Sequence, residues 1–345
     1  MFSDTSLSRA ERIGIAILVG IGAAALSYIT LTMYPQFAAR DYTYQWRAAH
    51  ALLAGQNPYY VIRPAGPYPF EEYYFYPLPA ALITLPFSWL RPVPSSAVFV
   101  GMTSGILAYA VTRDGFRGLL ILAGVPYLSA VVLGQLTPLI LAAAFLPAFQ
   151  WAYAAKPTIA AALFAARPSL RGAALAVMLI VVSLVVLPHW PLDWLHVLRN
   201  TPHHRAPVMR PFGFIILLAL LRWRTPEGRL LAVMAVAPQV FYFYDQLPLA
   251  LVARTGRQLL LLAAASWVAW AITWMSCTHK PACVEFGEPW IVPLLYLPAL
   301  VLVLSRPNTG STPQWVERMA GRVSATVRRR TDRPAPGGAA SSPLV

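Results

Sequence analysis

Charge is scarce in this chain. Charged residues make up 12% of it, and the acidic ones number only 13 in 345. A soluble globular protein carries roughly twice that share, so an ordinary water-soluble domain is excluded. Cysteine is almost absent: the pair is Cys277 and Cys283 in CTHKPAC. With His279 they are too few ligands for a structural zinc site, whereas their spacing suits a small disulfide loop in an oxidising compartment. No internal repeat and no cleavable leader is evident. The first apolar run, 13–33, is too long for a leader's core and lacks a small-residue cleavage pattern, so it reads as a retained helix.

What is abundant is apolar surface. Hydrophobic residues reach 58% and mean hydropathy is +0.56. Apolar segments fall at 13–33, 77–90, 96–112, 118–133, 136–152, 157–167, 172–188, 209–221, 229–244, 246–254, 257–275 and 289–305. A bilayer crossing needs about 20 such residues, and the shorter segments suit tilted or broken helices lining a protein cavity. The expectation is an all-α polytopic membrane protein of about 10–12 crossings. It would comprise a membrane domain over 1–305 and a basic, disordered cytoplasmic tail over 306–345, which is rich in Arg, Pro, Gly and Ser.

Part of the net charge of +14 lies in that tail, from Arg306 to Arg333, including Arg328, Arg329 and Arg330. Basic residues beside a last membrane helix follow the positive-inside rule and do not require nucleic acid. Arg222, Arg224 and Arg229 mark another cytoplasmic loop. With both termini inside, the loops 34–76, 189–207 and 276–288 face outward, which agrees with the disulfide reading. Arg113 and Arg117 then fall on the outer side, against the rule.

The loop 34–76 is the most informative region. TYQWRAAHALLA, residues 43–54, places Trp46, Ala49, Leu52 and Leu53 on one face of an amphipathic interfacial helix. Asp41 lies just before it. The position suits a helix cap, a partner for Arg40, or a base stabilised as carboxylate by the helix N-terminus. The Pro- and Tyr-rich stretch that follows reads as an ordered irregular return to the membrane. Its tyrosines suit interfacial anchoring or stacking against sugar rings. Glu71 and Glu72 are the rival acids, among tyrosines and solvated.

The order Asp41, Trp46, Ala48-Ala49, Leu53-Ala54-Gly55-Gln56-Asn57-Pro58-Tyr59, then Phe75-Tyr76-Pro77-Leu78-Pro79, resembles the first outer loop of glycosyltransferase family 87 in the GT-C superfamily. That family includes polyprenyl-phosphate-mannose-dependent mannosyltransferases. Gly134-Gln135, Lys156-Pro157, the PLDWL run at 191–195 and Pro238 in APQVFYFYDQLPLAL resemble later motifs of the family in the same order. Asp245-Gln246 stand where relatives often carry histidine.

The resemblance implies a GT-C-like helical bundle with its active site at the outer face of a plasma or inner membrane. A sugar, mannose or similar, would pass from a polyprenyl-phosphate donor to a lipid or glycan acceptor with inversion. Asp41 would be the general base. Positive groups must then meet the lipid phosphate that leaves; the candidates are Arg63, Lys156, His203, His204 and Arg205. Lys156 also fits a snorkelling interfacial lysine, and the THHR stretch a solvated loop. Trp46, Tyr59, Gln135, Asp245 and Gln246 are the substrate-side candidates, with Asp245 also suited to capping a helix or holding Arg205. The neighbouring histidines offer no third metal ligand, and the superfamily's use of a divalent cation leaves one compatible. The alternative function is a non-enzymatic transporter or flippase of a lipid-linked sugar.

Overall fold

The computed structural model describes residues 7–34, 40–70, 72–200, 205–239, 242–276 and 288–310. Cys277, Cys283, His203, His204, Glu71 and the tail beyond 310 lie outside them. The described chain is helical almost throughout. Its β-structure is a parallel pair of two-residue strands, Ile62–Arg63 and Tyr68–Pro69, and an isolated bridge between Arg205 and Gln239. The compact unit runs Met1–Asn308 and holds Arg306, whose buried guanidinium lies 3.3 Å from Glu227. The tail expected from residue 306 therefore begins later.

Proline sets the lengths of the helices. The chain has 32 prolines, and the residue before a proline is pushed out of the helical region towards extended backbone. Leu146, Lys156, Arg167, Leu187 and Thr225 each precede a proline, each with ψ between 72° and 144°, and each ends or starts a helix. A proline in the first turn costs nothing, because that N–H has no helical partner. The apolar chain is thus cut into Pro157–Ala166, Pro226–Val236 and similar short pieces.

Helices long and apolar enough to cross a membrane are nevertheless present. Among the described residues they are Arg9–Met33, Pro92–Asp114 and Gly256–Ser276, and up to five if each bent pair makes one crossing. The pair Phe116–Ala123 and Val125–Leu133 bends by 67° at Gly124, and Leu170–Val186 with the helix from Trp190 bends by 95° at Pro188. The remaining apolar segments are helical but shorter than a crossing requires.

Arg9–Met33 starts with a capping box, in which Ser8 and Glu11 each satisfy the other's backbone N–H. It packs along Pro92–Val111 through small residues. A Cβ on Gly101 would lie 2.8 Å from the Gly20 carbonyl and 2.9 Å from Ala24 Cβ, and one on Gly105 would lie 2.9 Å from the Ala16 carbonyl. Where lipid is as apolar as leucine, such close backbone approach is a main source of helix pairing.

The helix expected over 43–54 begins earlier, at Arg40, so Asp41 lies inside its first turn. Its buried face is Tyr42, Tyr44, Gln45, Ala48, Ala49 and Ala51, while Leu53 is exposed. One face of the helix is thus packed into protein, and Ala49, expected on the same face as Leu53, belongs to that buried side. Tyr42, Tyr44, Tyr59, Tyr74 and Tyr76 are likewise core residues. Tyr74 Oη donates to Gln45 Oε1 at 2.6 Å, and Tyr59 Oη donates to the Tyr76 carbonyl at 2.9 Å. Buried hydroxyls need partners; Tyr42 finds its partner in the Ser95 hydroxyl, Tyr44 in the Tyr73 carbonyl and Tyr76 in the Gln135 amide. Tyr60 and Tyr73 are the exposed tyrosines of this stretch.

Candidate functional site

Polar side chains from four separate helix starts meet inside this apolar unit. Asp41 comes from the first turn of Arg40–Leu53, and Asp245 from the first turn of Phe243–Val252. Lys156 is the extended residue before Pro157. Gln135 follows Gly134, whose left-handed backbone (φ 68°) closes the helix Val125–Leu133 and turns the chain inward. Glycine is the residue that adopts this conformation without strain.

The contacts form a continuous network. The Gln135 amide donates to the Asp41 carboxylate through Nε2 and accepts from Lys156 Nζ at 3.3 Å through Oε1. Lys156 Nζ lies 2.6 Å from Asp245 Oδ1 and 4.4 Å from the centre of the Tyr244 ring. Tyr76 Oη stands 3.4 Å from the Gln135 amide nitrogen. Gln135, Lys156 and Asp245 are all buried, whereas Asp41 keeps partial solvent access. Burial pushes the Asp41 carboxyl up to about 6, against the opposing pull of the Lys156 charge and of hydrogen bonds from Tyr244 and Gln135. A carboxylate poised near neutrality, with one side open, is suited to take a proton.

A buried, partnered Lys156 is not the snorkelling lysine allowed by the sequence, and it, not Arg205, is the cation that Asp245 holds. Arg63 and Arg205 are exposed, and the structure does not bring them into the network. Trp46 donates from its indole to the Leu90 carbonyl at 3.0 Å and stacks on His50, which fixes its helix and leaves it outside the site. Tyr59 acts one step away, through the Tyr76 carbonyl. Gln246 turns from the cluster to Gln239 Oε1 at 3.0 Å, and Gln239 in turn donates to Tyr296 Oη. Gln246 also lines a small apolar cleft with Leu120, Ile121, Leu259 and Leu262. Asp41 does not line that cleft.

Sequence reasoning gave no role to Tyr244, Gln239 or Tyr296. Tyr244 could have been flagged by its place beside Asp245. Nothing in the local pattern marks Tyr296.

A second contact joins the segment 57–75 to a distant helix. Asp193 accepts from Asn57 Nδ2 at 2.7 Å and from Tyr60 Oη at 2.5 Å, and Trp194 Nε1 donates to the Phe75 carbonyl at 2.7 Å. The PLDWL run is therefore helical and fastened to the loop that carries Asp41. No family model, curated protein or solved structure matches the chain in comparison with known proteins.

Proposed function

We propose that the protein is an integral membrane glycosyltransferase of GT-C type, resembling family 87. It transfers a sugar from a polyprenyl-phosphate donor to a lipid or glycan acceptor. The observation that carries this reading is the convergence of Asp41, Gln135, Lys156 and Asp245. They come from motifs far apart in sequence that resemble the family's in the same order, and they meet in one hydrogen-bonded network.

In the proposed step Asp41 takes the proton of the acceptor hydroxyl. The hydroxyl oxygen attacks the anomeric carbon, the bond from that carbon to the phosphate oxygen breaks, and its electron pair leaves with the lipid phosphate. Inversion follows from a single displacement. Of the cationic candidates among the described residues, Lys156 is the one beside Asp41, and its charge would face the phosphate that departs. Lys156 binds phosphate as a point charge. Asp245 holds the lysine in place, and Gln135 orients the base.

The wider setting belongs to the same reading. About ten to twelve crossings would combine the long helices with paired short ones. Asp41, Asn57 and Asp193 would lie at the outer face, and both termini in the cytoplasm.

The test is transfer from a radiolabelled polyprenyl-phosphate hexose by the purified chain in lipid. Asp41→Asn is expected to lower turnover by about 10²–10⁴-fold, the usual worth of a general base, with folding intact. Retained transfer in that variant overturns the assignment. Movement of the labelled lipid across vesicles with no transfer would favour a flippase instead.

A further inference from the structure

The network answers a question that sugar transfer from a phosphate donor raises: what cation, if any, the site requires. A hard divalent ion needs several oxygen ligands converging at about 2.0–2.6 Å. The described residues offer the Asp41 and Asp245 carboxylates and the Gln135 amide oxygen. Lys156 Nζ already sits 2.6 Å from Asp245 Oδ1 and 3.3 Å from Gln135 Oε1. The Tyr244 ring faces the same ammonium at 4.4 Å, a cation–π contact that favours an organic cation. A divalent ion placed on these oxygens would meet a positive charge at contact distance. Among the described residues no group of three or more His, Cys, Asp or Glu side chains could hold a metal elsewhere. The residues present do not fit a divalent cation.

We infer that Lys156 is the resident cation of this site, seated on the Asp245 and Gln135 oxygens that a divalent ion would need, so that transfer runs without a metal. The seating stands on geometry alone; metal-free transfer also rests on the glycosyltransferase reading. Two consequences follow. The intact protein has no divalent site that depends on Asp245. Removal of the ammonium uncovers one, because the two carboxylates and the amide oxygen remain without a counter-charge.

The experiment titrates the purified full-length chain with Mn²⁺, read by electron paramagnetic resonance, and assays transfer with and without a chelator. Wild type and Asp245→Asn are expected to bind Mn²⁺ indistinguishably. Lys156→Ala is expected to gain one site per chain, at least tenfold tighter than any site in wild type, and Lys156→Ala with Asp245→Asn is expected to lose it. Lys156→Arg, which keeps the charge, gains none. Chelation leaves wild-type transfer within twofold. A stoichiometric Mn²⁺ site in wild type that Asp245→Asn removes, or a tenfold loss of transfer on chelation restored by Mg²⁺, overturns the inference. So does a folded Lys156→Ala that gains no site. If Lys156→Ala does not fold, the wild-type and Asp245→Asn titrations decide alone. Absence of transfer under every condition counts against the proposed function, while the Mn²⁺ arms still judge the lysine.

Discussion

Asp41 is held where its charged form is least welcome. Its carboxyl is raised by burial to about 6 from 3.8 in the unfolded chain. Between those two values the folded state keeps a proton that the unfolded state releases. Stability therefore falls as pH rises across that window, and the penalty is complete above about pH 6. Asp41→Asn removes the penalty while keeping an oxygen for Gln135 to donate to. The variant that loses transfer is expected to melt at the same or a higher temperature than wild type at pH 7.5, and a melting temperature several degrees lower would contradict the assignment. The same pKa fixes the rate profile. If Asp41 is the base, kcat/KM falls about tenfold per unit below pH 6, and a flat profile down to pH 5 would remove it from that role. Part of this was readable beforehand. A lone acid between apolar segments invites a functional reading, and Asp41 and Asp245 stood out for that reason. The pairing of Lys156 with Asp245 was not readable, because no local pattern links residues so far apart in the chain.

Among the helices, what the sequence showed was where they lie, and what it concealed was how they pack. Each apolar segment is helical, because prolines and apolar runs are local signals. The tyrosines between residues 42 and 76 were ambiguous for a physical reason. An amphipathic ring suits both a lipid headgroup layer and a core that supplies a hydrogen-bond acceptor, and only the positions of Gln45 and the Tyr73 and Tyr76 carbonyls decide between them. The pairing of Arg9–Met33 with Pro92–Val111 depends on absent side chains. Gly101→Val would force a branched group against the Gly20 carbonyl and Ala24 Cβ. Overpacking of this kind costs about 1–3 kcal/mol. The variant is expected to lower the unfolding free energy in detergent by that amount, whereas Gly22→Val, at an open position, leaves it unchanged. Equal effects from the two would mean that the pair is not closely packed.

At the largest scale, the compact unit Met1–Asn308 holds two polar clusters, one towards each end of the helix Pro157–Ala166. At one, Asp41, Gln135, Lys156 and Asp245 meet, near the loop fastened by Asp193. At the other, Arg222 donates to the Leu304 and Arg306 carbonyls, Arg229 to those of Ala165 and Ala166, and Glu227 holds Arg254 at 2.7 Å. The helix Pro157–Ala166 runs between the ends, from Lys156 to Arg167. In a cysteine-free background, Tyr60→Cys and Arg224→Cys, both at exposed positions, are expected to react with an impermeant maleimide from opposite faces of sealed vesicles. Labelling from one face would refute the two-ended arrangement.

The shortness of the inner helices bears on the lipid around them. Pro157–Ala166 and Pro226–Val236 have 10 and 11 residues. At 1.5 Å per residue each reaches about 15 Å, half of a hydrocarbon layer of about 30 Å. Arg9–Met33, with 25 residues, reaches across it fully. Two such pieces laid end to end match that thickness, whereas one alone covers half of it. Crossings assembled in this way, as proposed above, make transfer sensitive to hydrophobic mismatch. Reconstitution into bilayers of increasing acyl length is expected to slow the proposed transfer progressively.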